Sequence, residues 1–394
     1  MKFMKGKYSS PEAQFILQCL RSELFPGTAV KLPAGDLDWD LVYTLLEENR
    51  LAAHFYTFSM QHESLFPDAL LRKLKQARGA VLLYGDQCKL QVQEVLTGLT
   101  AAGIPVIVLK GWALIQWLYK GDHGQRFCED IDILVPMAFV SQAEDLLRKM
   151  GYAALKEVDP GFAQRFSNAQ AYRKVNGADQ HWQRFLIGFH WGLTHYPYFD
   201  AKRINTDELF NRSIPLNVAG EKVAELSFED QFIYTCAHLA LHHRNAENIL
   251  NFFEIAAILQ RAGGEMDWQV VADRAAAWGY GMQVRYVLAE IEQLWPVVVP
   301  KHAIHALAAV EVTRKERWID WLVASTKGNR FRSALVEMLA LPGWDNKFTA
   351  AFKHVFPGRE YMHHRYGVRD KNLIKAYWVR VSGAFTGVFR RKTR

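Results

Sequence analysis

The chain lacks the features that would place it in a membrane or in an oxidising compartment. No uncharged apolar run in its 394 residues reaches the ~18 that a membrane span requires. The basic start, MKFMKGKYSSPEAQ, is not followed by the apolar stretch of a signal peptide. Cysteine is scarce: Cys19, Cys88, Cys128 and Cys236 lie far apart with no Cys-x-x-Cys pair. This is neither a disulfide framework nor a zinc ribbon, and a cytoplasmic location is expected. No internal repeat and no low-complexity stretch is present. Excess positive charge is also missing from most of the chain, because residues 1–358 carry a net −1 and residues 359–394 carry +8.

What is present is a protein with a real core. Half of the residues are hydrophobic, and 12 Trp, 24 Phe and 15 Tyr exclude general disorder. The length predicts two or three parts. Residues 1–100 read as helical, with helices opening at Asp38-Trp39-Asp40 and Pro67-Asp68 and a stop at Gly103. Residues 101–218 change texture. Ile104–Leu109 predicts a buried strand, Lys110-Gly111 breaks it, and Trp112–Tyr119 predicts a short apolar helix. Ile131–Val135 predicts a second strand and Phe139–Met150 an amphipathic helix. Gln170–Val175 and His181–Trp191 flank Asn176-Gly177, a hairpin signal. Residues 219–345 return to helix, opening on the capping box Ser227-Phe-Glu-Asp230. Residues 346–394 form a basic tail in which Tyr377, Trp378, Phe385 and Phe389 precede Arg390-Arg391-Lys392. That composition suits self-packing, an anionic membrane surface or, less well, nucleic acid.

The chemistry concentrates between Val108 and Val135. Asp130 and Asp132 are two apart on a strand and share a face, while Ile131 and Ile133 point the other way. Two adjacent carboxylates repel unless a cation lies between them, and such a hard-oxygen pair suits Mg²⁺ that also holds phosphates. Gly111 opens a helix directly after a strand, so its backbone N–H groups form an anion site that a phosphate can approach closely. Lys110 and Arg126 add positive charge for the same anion.

The run LKGWALIQWLY, followed by Arg126 and EDIDILV, resembles the uncharacterised nucleotidyltransferase family (family 5) of the DNA polymerase β-type superfamily. The resemblance extends through Gly151-Tyr152, His190-Trp191, Leu226–Asp230 with His238, and Asn251–Ile255. It implies an α+β fold, a small mixed-sheet core embedded between helical regions. It also implies Mg²⁺- or Mn²⁺-dependent use of a nucleoside triphosphate. Asp130 and Asp132 would then hold metal, and Lys110, Gly111, Trp112, Arg126 and His238 would bind the nucleotide.

One departure stands out. Related enzymes carry a third carboxylate two residues before the His of His-Trp, and this chain has Gly188 there. On an extended Arg184–Trp191, Gly188 shares a face with Leu186 and His190, which leaves His190 as the catalytic-side residue, a poor Mg²⁺ ligand. Glu129 has the wrong strand parity, and Asp179 falls in the hairpin turn. His238 and His242 lie one helical turn apart on a face with Gln231 and Thr235 that can border the cleft, but without the carboxylate of a zinc frame. Cys128 reads as a small buried residue, and His363-His364 as solvated.

The expected activity is transfer of a nucleoside monophosphate to a hydroxyl of a protein, peptide, sugar or small metabolite. The alternatives are a catalytically silent nucleotide- or partner-binding module and an RNA-modifying enzyme that uses the basic tail.

Overall fold

The computed structural model describes residues 8–32, 35–155, 167–175, 185–193, 204–242, 248–262, 264–325, 338–339, 341, 343–359, 361–362 and 372–380. The Asn176-Gly177 turn, Asp179, Arg184, His363-His364 and Arg390-Arg391-Lys392 lie outside these residues.

Four helices lead the chain: α1 (Pro11–Leu24), α2 (Trp39–Glu48), α3 (Ala52–Gln61) and α4 (Asp68–Ala101). Ser10 caps α1 through the Ala13 N–H, and Asp38 caps α2 through the N–H groups of Asp40 and Leu41. Pro67 sets the start of α4, and Gly103, at φ +71°, turns the chain out of it. The sheet follows, made of β1 (Ile107–Leu109), β2 (Asp130–Leu134), β3 (Tyr152–Ala154), β4 (Ala169–Lys174), β5 (Leu186–His190), β6 (Ile214–Val218) and β7 (Glu221–Glu225). Helices α5 (Lys110–Trp117), α6 (Val140–Lys149) and α7 (Thr206–Asn211) lie between its strands. After it come α8 (Phe228–His242), α9 (Ile249–Ala262), α10 (Trp268–Trp278), α11 (Gly281–Leu294), α12 (Lys301–Ala308), α13 (Arg314–Ser325) and α14 (Trp344–Val355).

The seven strands form one mixed sheet in the order β3-β4-β5-β2-β1-β7-β6. β2 runs parallel to β5 and antiparallel to β1, which is itself parallel to β7. This is the expected α+β architecture, with helices before and after a mixed sheet. The paired part of the first strand is shorter than expected. Val106 still reaches the sheet, because its carbonyl accepts the Ala224 N–H at 3.0 Å. The β6–β7 hairpin has no counterpart in the sequence reading. Its turn places Ala219 and Gly220 at φ +53° and +91°, the left-handed pair that a two-residue hairpin needs.

Two apolar clusters hold these layers together. One lies under the sheet, where Val92, Leu96 and Leu99 of α4 meet Val108, Ile131, Ile133, Ile187 and Phe189. The other joins the helices before the sheet to those after it, through Phe15, Leu20 and Phe55 on one side and Phe232, Ile255 and Trp295 on the other. The Trp295 indole N–H donates to the Leu17 carbonyl at 3.0 Å across this junction. The Ser-x-x-Asp box is half formed. Ser227 Oγ accepts the Asp230 N–H at 3.4 Å, but the fully buried Asp230 carboxylate turns to Arg212 (2.5 Å) and Arg274 (3.0 Å). Two charge-assisted guanidinium contacts to a buried carboxylate outweigh one cap hydrogen bond. No described helix is long and apolar enough to cross a membrane.

Candidate active site

The sheet brings β2, β5 and the β1-to-α5 turn to one end, beneath α8 and α9. There they enclose a cleft of about 700 Å³ lined by Lys110, Gly111, Arg126, Asp130, Asp132 and His238, among others.

Asp132 is engaged through both of its carboxylate oxygens. Its Oδ2 lies 3.0 Å from Lys110 Nζ, and its Oδ1 lies 2.8 Å from His190 Nε2. Burial alone would raise its pKa. Lys110 and the His190 hydrogen bond overcome that and hold the carboxyl well below the usual carboxylate range. Lys110 is itself held above the usual lysine range, because burial that would lower it is outweighed by Asp132, Tyr234 and Asp130 together. Its ammonium also sits 5.5 Å from the centre of the Tyr234 ring. The backbone of Lys110 is left-handed, at φ +49°.

Asp130 is less well compensated, because the charges of Lys110 and Arg126 act on it but do not offset what raises it. Its side chain is exposed to solvent yet walled by the cleft, and no described donor hydrogen-bonds to it. Partial desolvation, followed by the neighbouring charge of Asp132, pushes its carboxyl up to about 6. Glu129, set aside on strand parity, precedes β2 and lines the cleft as well.

The remaining sequence candidates fall into place differently. His190 stands behind Asp132 rather than in the cleft. A carboxylate only accepts, so Nε2 carries the proton, and Nδ1 is buried without a partner. With both ring nitrogens committed or enclosed, His190 orients Asp132 and has no free edge for a substrate. Trp112 is also displaced from its expected role. It is buried beneath the sheet, with its ring edge-on to Phe185 at 6.3 Å. The alternation of a short apolar helix sends this side chain to the core while Gly111 and Leu114 face the cleft.

Gly188 pairs with Asp132 across the parallel strands. A Cβ at position 188 would lie 2.1 Å from Asp132 Oδ1, so the carboxylate occupies the space that a side chain would need. Gly111 is constrained in the same way. A Cβ there would come within 2.8 Å of both Arg126 Nη1 and Cys128 Sγ. Arg126 therefore lies directly against the start of α5, whose first turn has no side-chain cap.

Arg126 is not a free cation. Its Nε and Nη2 meet Glu254 Oε1 and Oε2 at 2.5 and 3.1 Å, and Nη1 reaches Cys128 Sγ at 2.9 Å. Glu254, 2% exposed, also accepts from Tyr119 Oη at 3.0 Å. Cys128 is a buried thiol, which desolvation pushes up to about 11. Glu254 lies within the Asn251–Ile255 segment, but its role was invisible there, because its partner is 128 residues away. From α8, Thr235, His238 and His242 line the cleft, and the two imidazoles stack with centroids 4.7 Å apart.

Among the described residues, no cluster of three His, Cys, Asp or Glu side chains is arranged to hold a metal ion. The pair Asp130 and Asp132 nonetheless offers the hard oxygens that suit one Mg²⁺ or Mn²⁺ completed by phosphate oxygens and water.

A mixed sheet that brings paired carboxylates and an uncapped strand-to-helix turn to one cleft is the framework of a nucleotidyltransferase. The chain belongs to the family of uncharacterised nucleotidyltransferases, whose family model matches residues 35–296 and so spans every site residue named above. Solved structures with a likeness to it include ANT(2″)-Ia in complex with adenylyl-2″-tobramycin (16% identity, 49% of this chain and 97% of that chain, TM-score 0.34). Another is an antigenic nucleotidyltransferase-like protein from Paracoccidioides brasiliensis (16% identity, 58% of this chain and 95% of that chain, TM-score 0.32). No curated protein matches the sequence.

Proposed function

We propose that this enzyme transfers a nucleoside monophosphate from a nucleoside triphosphate to a hydroxyl of a protein, peptide, sugar or small metabolite, with a divalent cation on Asp130 and Asp132. The observation that carries this reading is the solvent-facing Asp130 carboxylate beside Asp132, both lining one cleft with Lys110 and Gly111 at the start of α5. A bound Mg²⁺ or Mn²⁺ supplies neutralising charge to the phosphates. Lys110 and the uncapped N–H groups of α5 supply further donors for the triphosphate. Arg126, clamped by Glu254, gives the turn a fixed wall, and His190 fixes the rotamer of Asp132. His238 stands across the cleft as a contact for the nucleotide or the acceptor.

In the transfer itself, the acceptor oxygen forms a bond to the α-phosphorus and the bond to the α–β bridging oxygen breaks. Pyrophosphate leaves with that electron pair, and the hydroxyl proton passes to water at the open mouth of the cleft. The four cysteines are free and buried, which fits a reducing cytoplasm.

A second reading, a silent nucleotide-binding module, is favoured by the double engagement of Asp132 and by Gly188 in place of a third carboxylate. The test is incubation with each α-labelled nucleoside triphosphate and Mg²⁺ or Mn²⁺, following pyrophosphate release and label transfer to a cell extract. Release that disappears in Asp130→Asn supports the transferase. Binding of nucleotide with no release supports the silent module. Binding of RNA that is steep in salt and lost on deletion of residues 359–394 would instead favour the RNA-modifying alternative.

A further inference from the structure

The seven Trp and Phe side chains that stand exposed among the described residues all lie between positions 318 and 378: Trp318, Trp321, Trp344, Phe348, Phe352, Phe356 and Trp378. The described Trp and Phe rings of the first 300 residues are all buried at least in part, so this is a local property and not a general looseness of packing. On α14, Trp344, Phe348 and Phe352 recur every four residues and form a single stripe, 72%, 70% and 64% exposed. Ala350, on the other side of the helix, is buried. The segment 372–380 repeats the pattern with Ile374 and Trp378, and the two pieces meet where Phe356 packs on Tyr377 at 5.9 Å.

An apolar stripe of this size marks a surface that something covers. The charge around it selects the occupant. Lys347 lies 5.2 Å from the centre of the Trp344 ring, and Arg380 lies 5.3 Å from that of Tyr361. In both cases a cation sits beside an aromatic ring, as it does where side chains straddle a headgroup boundary. Residues 359–394 add +8, whereas residues 1–358 are close to neutral. A protein partner would need a matching apolar face with dense acidic charge, and RNA would leave the Trp344–Phe352 stripe uncovered. An anionic bilayer satisfies both features at once.

We infer that the face formed by residues 344–356 and 372–380 docks this enzyme onto an anionic lipid surface, with the α14 aromatics at the headgroup–acyl boundary and the positive charge of residues 359–394 favouring anionic lipid. The inference does not depend on which reaction the cleft performs.

The experiment is flotation of the full-length protein with vesicles of phosphatidylcholine alone and of phosphatidylcholine with one quarter phosphatidylglycerol. Binding is expected only to the anionic vesicles, weakening with salt. The triple variant Trp344→Ser/Phe348→Ser/Phe352→Ser should bind at least ~10-fold more weakly while its thermal unfolding stays unchanged, because all three side chains are exposed. Removal of residues 381–394 should also weaken binding and flatten its salt dependence. Equal binding to both vesicle types, or a triple variant that binds like wild type, overturns the inference. So does a triple variant that changes the mass of the protein in solution, which would assign the stripe to a second copy of the chain. Salt-sensitive capture of an RNA oligomer by the tail, with no vesicle binding, would assign it to nucleic acid.

Discussion

Gly188 and Asp132 face one another on adjacent parallel strands, and the Asp132 carboxylate fills the space above the glycine. The missing third carboxylate and the His190–Asp132 hydrogen bond are therefore two aspects of one arrangement. Gly188→Asp should not restore a three-carboxylate site. It should displace Asp132 from His190 and Lys110, destabilising the protein by about 2 kcal/mol through overpacking. Gly188→Ala should cost nearly as much, since the clash begins at Cβ. Thermal unfolding and Mg²⁺-nucleotide titration of both variants check this. A more active Gly188→Asp enzyme would show that the strands yield more readily than the geometry implies.

The two aspartates should separate cleanly in a stability assay. Asp132→Asn leaves the half-buried Lys110 ammonium without its counter-charge and should cost about 3 kcal/mol. Asp130→Asn removes a repulsive neighbour from Asp132 and should leave metal-free stability unchanged or raised by up to about 1 kcal/mol. Both should abolish pyrophosphate release. Chemical denaturation without divalent cation is the deciding measurement, and equal losses from the two variants would contradict the assignment of Lys110 to Asp132.

Glu254 holds Arg126 in place at the wall of the cleft. Glu254→Gln keeps its volume but strands a half-buried guanidinium, with an expected loss of about 3 kcal/mol and weaker nucleotide binding. Tyr119→Phe removes only the hydroxyl that donates to Glu254 and should cost about 1 kcal/mol. Denaturation of the single variants and the double variant would measure their coupling, which should be favourable because they share Glu254 Oε1.

Away from the cleft, burial pushes the Glu225 carboxyl in β7 up to about 7. The folded state then holds a proton that the unfolded chain releases near its ordinary value of 4.5. Stability contributed by the protonated form is lost as pH rises, and the loss is complete above 7. Glu225→Gln should therefore match wild type near pH 4 and exceed it at pH 8 by about 1 to 2 kcal/mol, allowing for partial exposure. Thermal unfolding across that range tests it, and a gain that is equal at both ends would rule out the titration.

Much of this molecule was legible because local chemistry and tertiary structure agree. Asp38 and Pro67 start helices where caps and proline must, and Asp130 and Asp132 project together because strands alternate. The β6–β7 hairpin is not legible in the sequence for reasons that are also local. Pro215 and Asn217 break the β-branched pattern, and Ala219-Gly220 lacks the usual turn signature. The true state of Arg126 could not be read from its surroundings, because Glu254 comes from a helix on the far side of the chain. Strand parity correctly put His190 on the face of Asp132. It could not show that Asp132 would take one ring nitrogen and the protein interior enclose the other.

Lys110 has one more implication, which concerns how its mutants must be judged. Its left-handed backbone would be relaxed by glycine, while its side chain answers a buried carboxylate that glycine would abandon. A Lys110→Gly protein thus gains on one account what it loses on another, and its melting temperature would understate the damage. Lys110→Met removes the charge while keeping the backbone demand, so comparing these two replacements separates what the main chain asks of this position from what the cleft asks of it.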